Sequence, residues 1–137
     1  MVAALAAWLI LTALGILHFY WAAGGVFGKD AAIPTKDGLP LFSPAPIGTA
    51  VVGLALFAMA ALIAVRIGWI AAPGFARPVH VCLWLLAILF LLRAIGDFRY
   101  VGFFKRVRDS RFAKLDTAVY SPLCLILAGL LAISASS

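Results

Sequence analysis

Four long runs of apolar residues, separated by polar segments, make up most of the chain. They cover Val2–Ala23, Ile47–Val65, Val79–Gly96 and Thr117–Ala135. A hydrocarbon core about 30 Å thick is crossed by about 20 residues of helix, and each run is close to that length. The pattern therefore predicts four transmembrane helices, at about residues 2–23, 47–65, 79–96 and 117–135.

The composition supports a membrane protein and leaves little chain for anything else. Hydrophobic residues make up 66% of the sequence and its mean hydropathy is +1.14, whereas soluble domains are roughly 45–50% apolar. We therefore expect one domain, residues 1–137, folded as an all-α integral membrane four-helix bundle. The first run ends in His18-Phe19-Tyr20-Trp21 and has no basic segment before it, so we predict a retained helix and not a cleaved signal peptide.

The distribution of basic residues predicts the topology. The formal net charge is +6, and most of the excess lies in the third loop, which carries Arg99, Lys105, Arg106, Arg108, Arg111 and Lys114. The first loop contains Lys29 and Lys36, while the second has basic residues only at its edges. Loops rich in Lys and Arg usually face the cytoplasm. We expect loops one and three to be cytoplasmic and both termini to lie outside.

Three ionisable side chains lie within or directly at the end of the predicted spans, near one membrane boundary: His18, Arg93 and Asp97. Such residues are costly in a bilayer and usually face the interior of the bundle, which makes them candidates for function. Each lies within about two helical turns of the same membrane boundary. Residues four apart share a helix face, so Arg93 and Asp97 are expected to contact each other.

Further polar and aromatic residues lie at the same predicted depth. The candidate ligand-binding set therefore comprises His18, Trp21, Arg93, Asp97, Arg99, Tyr100 and Tyr120. We expect His18, Arg93, Asp97 and Tyr120 to form one cluster at the inner leaflet, covered by the first and third loops. A purely structural interpretation is also open, in which Arg93 reaches the headgroups, Asp97 neutralises it and His18 bonds a carbonyl oxygen.

The sequence argues against metal and haem sites. His18 and His80 are predicted towards opposite membrane faces, so they cannot both ligate one haem. Zinc or di-iron centres need three or more His, Cys or carboxylate ligands close together, and the available groups are few and scattered. We therefore expect neither a metal nor a cofactor.

The third loop mixes aromatic residues with its cations and allows two interpretations. It could form an interfacial helix that anchors the protein on an anionic leaflet. Alternatively, arginines such as Arg99, Arg106 and Arg108 could grip a phosphate or carboxylate headgroup. We expect contact with the bilayer and anionic lipid headgroups and no binding of nucleic acid. A second copy of the chain or another membrane protein is a further open alternative as partner.

Several stretches resemble a family of small bacterial four-helix membrane proteins, the domain-of-unknown-function family number 3995. The resemblance rests on residues 17–22 (LHFYWA) with Gly24-Gly25, on residues 93–105 (RAIGDFRYVGFFK), and on Asp116-Thr117 with residues 120–124 (YSPLC). It covers the whole chain. It implies a protein of the bacterial plasma (inner) membrane, but it implies no activity, substrate or catalytic residue.

Three functional hypotheses follow. The first is a binding protein that holds an anionic amphiphile, such as a lipid or isoprenoid phosphate, with Arg93 and Arg99 on the charged head and Trp21 and Tyr100 beside it. The second is a membrane enzyme in which His18 acts as general acid or base, oriented by Asp97. The third is a structural or assembly subunit of a membrane complex, which uses small-residue helix faces for contact.

Overall fold

The protein consists almost entirely of helices, four of which are long and apolar enough to cross a membrane. The structure is a computed structural model that describes all 137 residues. Helix α1 covers Val2–Ala22, α2 covers Pro46–Arg66 and α3 covers Ala76–Ile95; α4 (Arg111–Leu115), a π-helical turn (Asp116–Tyr120) and α5 (Ser121–Ser136) follow one another without a break. The predicted all-α class with four helices of spanning length is confirmed, and the protein is a multi-pass membrane protein.

The helices pack as two close pairs, α1 with α2 and α3 with α5, joined mainly through α1 and α5. The centre is filled by leucine and isoleucine side chains with no exposed surface: Leu11, Ile63, Leu83, Leu127 and Leu131. Small residues bring α1 and α2 close together, since a Cβ atom added at Gly53 would lie 3.3 Å from the carbonyl oxygen of Gly15. Small residues serve this purpose in membrane helices generally.

Glycine and proline set the ends of the long helices. Gly96 follows α3 with a φ angle of +95°, a left-handed conformation that ends a helix at little steric cost. Pro46 is the first residue of α2, where its missing N–H leaves no intrahelical bond unmade. In consequence α3 ends at Ile95, and Asp97, which was expected in its last turn, lies outside the helix.

The fourth spanning helix begins earlier than the apolar run suggests. It starts at Arg111 instead of Thr117, because the Ser110 hydroxyl accepts a hydrogen bond from the backbone N–H of Ala113 (3.0 Å) and caps the helix. The π-helical turn lies directly before Pro122, with the Ser121 N–H bonded to the carbonyl of Asp116. A proline within a helix crowds the carbonyl four residues earlier, and the wider turn adapts the helix to that position.

The first and third loops are irregular. Loop one contains a 3₁₀ turn (Asp30–Ala32) and a short hairpin of β1 (Thr35–Lys36) and β2 (Leu39–Pro40). Loop three, residues 96–110, consists of turns and bends. The interfacial helix that was one interpretation of this segment is not formed: hydrogen bonds across the loop, such as that from the Phe103 N–H to the Ala94 carbonyl (2.8 Å), fold it back on itself.

Candidate functional site

The candidate residues do not come together at one site. No hydrogen bond or ion pair joins any two of His18, Arg93, Asp97 and Tyr120, which were expected to form one cluster. Arg93 belongs to a buried ionic cluster between α3, loop three and the π-helical turn. His18 and Trp21 instead line a cavity between α1, loop one and α2.

The ionic cluster is centred on Asp116, whose side chain has no exposed surface. Its Oδ1 accepts a hydrogen bond from Arg93 Nη2 (2.8 Å). Its Oδ2 accepts from Lys105 Nζ (3.0 Å), the Gly102 N–H (2.7 Å) and the Ser121 hydroxyl (3.2 Å). A buried carboxylate is tolerated when such charged and polar donors replace its lost hydration.

Lys105 is as deeply buried as its partner, with 1% of its side chain exposed. Its ammonium group donates to Asp116, to the Gly102 carbonyl (2.9 Å) and to the Thr117 hydroxyl (2.6 Å), which uses all three of its protons. Lys105 therefore ties loop three to the start of the fourth spanning helix. Of the six basic residues assigned to this segment by the sequence, it alone is an interior residue.

Asp97 has a different role from the one expected. Its Oδ1 accepts hydrogen bonds from the backbone N–H groups of Arg99 (2.9 Å), Tyr100 (2.7 Å) and Val101 (2.9 Å). Desolvation raises the pKa of this carboxyl, but the hydrogen bonds from the three N–H groups lower it by more. The pKa of Asp97 therefore lies below its ordinary value of 3.8. The predicted contact between Arg93 and Asp97 is wrong, because α3 ends before Asp97 and Asp116 takes its place.

Arg99 and Tyr100 lie together in loop three, outside the ionic cluster. The Arg99 guanidinium stands over the Tyr100 ring, 5.1 Å from its centroid, within the range of a cation–π contact. Arg99 is exposed and Tyr100 is half-buried. Neither lines the cavity that contains His18 and Trp21.

The cavity has a volume of about 380 Å³ and lies where α1 ends and α2 begins. Its polar lining consists of His18, Trp21, Lys29 and Thr49. The remaining lining residues are apolar or glycine: Ala32, Ile33, Phe42, Pro44, Ala45, Gly48 and Val52. The cavity thus combines an apolar wall with a few hydrogen-bonding groups, which is the usual character of small-molecule sites.

Hydrogen bonds fix the two aromatic rings that border the cavity. His18 Nδ1 lies 2.7 Å from the Leu14 carbonyl oxygen, and the indole nitrogen of Trp21 donates to the Phe27 carbonyl (2.8 Å). The rings meet edge to face, with centroids 5.2 Å apart. Because a carbonyl oxygen only accepts, His18 Nδ1 is the donor in this bond, and Nε2 makes no hydrogen bond within the protein.

The beginning of α2 supplies unpaired donors at the cavity. No side chain caps this helix, and the backbone N–H groups of Ile47 and Gly48 have no acceptor within the protein. Gly48 lines the cavity, as does Lys29, whose side chain makes no ion pair. Uncapped N–H groups and the helix dipole both favour a negative charge at this end of a helix.

Tyr120 connects loop one to the fourth spanning helix. Its hydroxyl donates to the Ala31 carbonyl (3.1 Å), in the 3₁₀ turn beside the cavity-lining Ala32. Its ring packs against Phe112, with centroids 5.9 Å apart. Tyr120 therefore holds the loop that covers the cavity without lining the cavity itself.

Sequence reasoning missed Asp116, Lys105 and Ser121 in the cluster, and Lys29 and Gly48 at the cavity. Two signals pointed to the cluster. Gly96 precedes Asp97 and marks the end of α3, and Asp116 and Lys105 fall within the stretches that carry the family resemblance. Lys29 had no comparable signal, because a lysine in a loop usually lies in solvent.

Comparison with known proteins gives a family but no activity. No curated protein and no solved structure matches the chain. A family described as "Protein of unknown function (DUF3995)" matches residues 11–131, which include α1 from its middle onwards, both irregular loops and most of α5. The chain therefore belongs to the DUF3995 family, as its sequence motifs predicted.

Proposed function

We propose that this protein binds an anionic amphiphile, such as a lipid or isoprenoid phosphate, in the cavity between α1, loop one and α2. The observation that carries the proposal is the lining of this cavity: an unpaired lysine, a histidine and uncapped helix N–H groups on an otherwise apolar wall. The proposed location is the bacterial plasma membrane, with the cavity at the inner leaflet.

The charged head of the ligand would lie between Lys29 and the first turn of α2. Lys29 would supply a full positive charge, and the N–H group of the cavity-lining Gly48 would supply a hydrogen bond, joined by that of the preceding residue, Ile47. Hydrogen bonds to an ionised phosphate are about twice as strong as those between neutral groups. His18 Nε2 would accept a hydrogen bond from a hydroxyl or protonated oxygen of the head.

The apolar part of the ligand would leave the cavity along α2. Ile33, Phe42 and Val52 line its apolar side, and Val52 is 46% exposed on the outer surface of its helix. At about 380 Å³ the cavity is small, near the lower end of the roughly 300–1,000 Å³ of small-molecule sites. It therefore suits a head and the first part of a chain, with the remainder of the chain in the bilayer.

In this proposal the cation that binds the ligand differs from the two arginines that the sequence suggested. Arg93 is paired with Asp116, and its other terminal nitrogen is buried from solvent. Arg99 lies on loop three beside Tyr100. Lys29 therefore takes the role first assigned to Arg93 and Arg99, while His18 and Trp21 keep their places at the site.

No observation favours the other two functions. The enzyme hypothesis requires Asp97 to orient His18, but His18 Nδ1 bonds the Leu14 carbonyl and Asp97 bonds backbone N–H groups of its own loop. The subunit hypothesis requires a partner surface, and the exposed apolar faces of the four helices are those that a bilayer covers. The charged and apolar lining of the cavity is the observation that favours amphiphile binding over these two alternatives.

A titration with matched probes tests the proposal. Detergent-purified protein is titrated with farnesyl phosphate and with farnesol, which share a chain and differ in charge. The phosphate should bind, and Lys29→Gln should weaken its binding by about tenfold or more, because a hydrogen bond to a charged group contributes about 1.5–3 kcal/mol.

Lys36→Gln is the matched control, since Lys36 is an exposed lysine of the same loop that does not line the cavity. It should bind farnesyl phosphate as the wild type does. Equal affinity for phosphate and alcohol, or equal losses in the two lysine variants, would refute the proposed charge recognition.

A further inference from the structure

Loop three is held in one conformation from within. Its backbone crosses itself where Gly96 and Gly102 meet: both have positive φ angles, and a Cβ atom at either position would overlap the backbone of the other strand of the loop. The Arg106 and Val107 N–H groups both bond the Arg99 carbonyl (3.2 and 2.9 Å). The buried side chains of Lys105 and Asp116 bond the same point of the loop: Asp116 accepts from the Gly102 N–H and Lys105 donates to the Gly102 carbonyl.

One aromatic residue in this hydrogen-bonded loop combines an unusual backbone conformation with an exposed side chain. Phe98 has a φ angle of +62°, a left-handed conformation that a bulky residue rarely adopts, and Asp97 maintains it by bonding the three following N–H groups. Phe98 is 57% exposed and Phe104 is 62% exposed, with ring centroids 6.5 Å apart. Strained conformations persist where the surrounding structure imposes them, often at sites of function.

The same loop carries exposed cations close to this aromatic pair in sequence. Arg99 and Arg106 flank Phe98 and Phe104 in sequence, and both are exposed. Arg108 is exposed as well and donates only its Nε to the Lys105 carbonyl. Neither of the two loop carboxylates, Asp97 and Asp109, forms an ion pair with these arginines. The surface of the loop therefore combines exposed phenyl rings with unpaired positive charge.

We propose that loop three docks on an anionic lipid leaflet, with Phe98 and Phe104 inserted at the boundary between headgroups and acyl chains and Arg99 and Arg106 on lipid phosphates. The loop joins two helices of spanning length, α3 and the helix from Arg111 to Ser136, and so lies at the bilayer surface. Aromatic rings suit that boundary, and nearby cations are attracted to anionic lipids. The inference does not depend on what occupies the cavity beside Lys29.

The depth of the loop is measured with nitroxide labels on the full chain. In a Cys82→Ala/Cys124→Ala background, the label is attached to Phe104→Cys or, as a control, to Lys36→Cys, an exposed position at the hairpin turn of loop one. The labelled protein is placed in nanodiscs of phosphatidylcholine, with or without phosphatidylglycerol. The label at position 104 should be more accessible to oxygen and less accessible to a water-soluble nickel reagent than the label at position 36. Equal accessibility of the two labels in both lipid mixtures would overturn the proposal.

The lipid preference is measured as the rise in thermal unfolding midpoint when phosphatidylglycerol is added. The wild type should show a rise that shrinks with salt, and Arg99→Gln/Arg106→Gln should lose most of it. Phe98→Gly removes the backbone strain, so its midpoint without phosphatidylglycerol should not fall, yet its rise should be smaller. Farnesyl phosphate binding should stay unchanged in both variants. A full rise in both variants would refute the docking.

Discussion

Asp116 shows how a single charge can be kept inside this protein. Its carboxylate accepts hydrogen bonds from two cationic side chains, a backbone N–H and a hydroxyl, and its side chain has no exposed surface. Replacing the carboxylate by an amide would remove the negative charge that neutralises the buried Lys105. The loss of stability would come from the buried lysine left without a counter-charge as much as from the lost hydrogen bond.

Asp116→Asn is therefore expected to destabilise the protein by about 3–5 kcal/mol, the usual cost of breaking a buried ion pair. Asp109→Asn, at an exposed position without a hydrogen bond, should stay within about 0.5 kcal/mol of the wild type. Thermal or chemical unfolding in detergent measures both. The double variant Lys105→Met/Asp116→Asn should recover part of the loss, because no charge is then left unpaired between these two positions. Similar unfolding midpoints for Asp116→Asn and Asp109→Asn would contradict the account of the cluster.

Asp97 gives a pH dependence whose sign follows from its hydrogen bonds. Its pKa in the folded protein lies below the ordinary value of 3.8, so the folded state favours the ionised form. Its contribution to stability is present above that value and is lost as the pH falls through the folded pKa. Asp97→Asn should remove this part of the acid destabilisation, so that its midpoint falls less steeply than that of the wild type below about pH 4. An acid profile parallel to that of the wild type would contradict this role, and Asp109→Asn serves as the control.

At the scale of the elements, the turn between α3 and loop three depends on two glycines that approach each other closely. Gly102 has a φ angle of +91°, and a Cβ atom there would overlap the Ile95 carbonyl oxygen. Gly68, at the end of α2, has a similar φ angle of +82° but open space around the same position. A comparison of the two positions therefore separates two losses of stability: that from a side chain at a positive φ angle, and that from a Cβ atom overlapping the backbone.

Gly68→Ala should cost about 1–2 kcal/mol, the price of a left-handed conformation alone. Gly102→Ala should cost clearly more, because the backbone must also move away from the new methyl group and disturb the hydrogen bond to Asp116. The difference in unfolding midpoint between the two variants is the measurement. Equal midpoints would mean that the crossing of loop three is loosely held.

The elements also show what the sequence could and could not predict. Apolar runs of spanning length predicted the four long helices, since length and hydropathy alone decide that outcome in a bilayer. The ends were less predictable. The fourth helix begins six residues before Thr117, after the Ser110 cap. This start was not predicted because the cationic residues of the first turn interrupt the apolar pattern.

The ionic cluster could be predicted only in part. Helical spacing placed Arg93 and Asp97 on one helix face and so chose Asp97 as the partner, because only local pairs can be read from spacing. The true partner is Asp116, 23 residues away. Such a pairing depends on how loop three folds back, which is a property of the Gly96–Gly102 crossing and has no periodic signal.

At the scale of the whole molecule, the charge distribution predicts an orientation. The exposed cations of loop three and the lysines of loop one lie at the cytoplasmic side if the positive-inside rule applies. Reporter fusions at Ser137 and within Asp109–Ala113 test this. The fusion at Ser137 should report an external location and the fusion in loop three a cytoplasmic one. A cytoplasmic signal at Ser137 would contradict the predicted topology.

The central claim is that an anionic amphiphile occupies the cavity at the start of α2, and filling that cavity tests it most directly. Gly48 lines the cavity and has open space where a Cβ atom would lie, so Gly48→Leu should fill the site without a backbone overlap at its Cβ atom. Gly129→Leu is the matched control, since Gly129 has the same open space in α5, away from the cavity.

The measurement is native mass spectrometry of the three proteins after mild detergent extraction from the membrane. The account predicts that the wild type and Gly129→Leu each retain an anionic amphiphile of the same mass, and that Gly48→Leu retains none. A wild type without such a ligand, or a Gly48→Leu variant that retains it to the same extent, would contradict the claim.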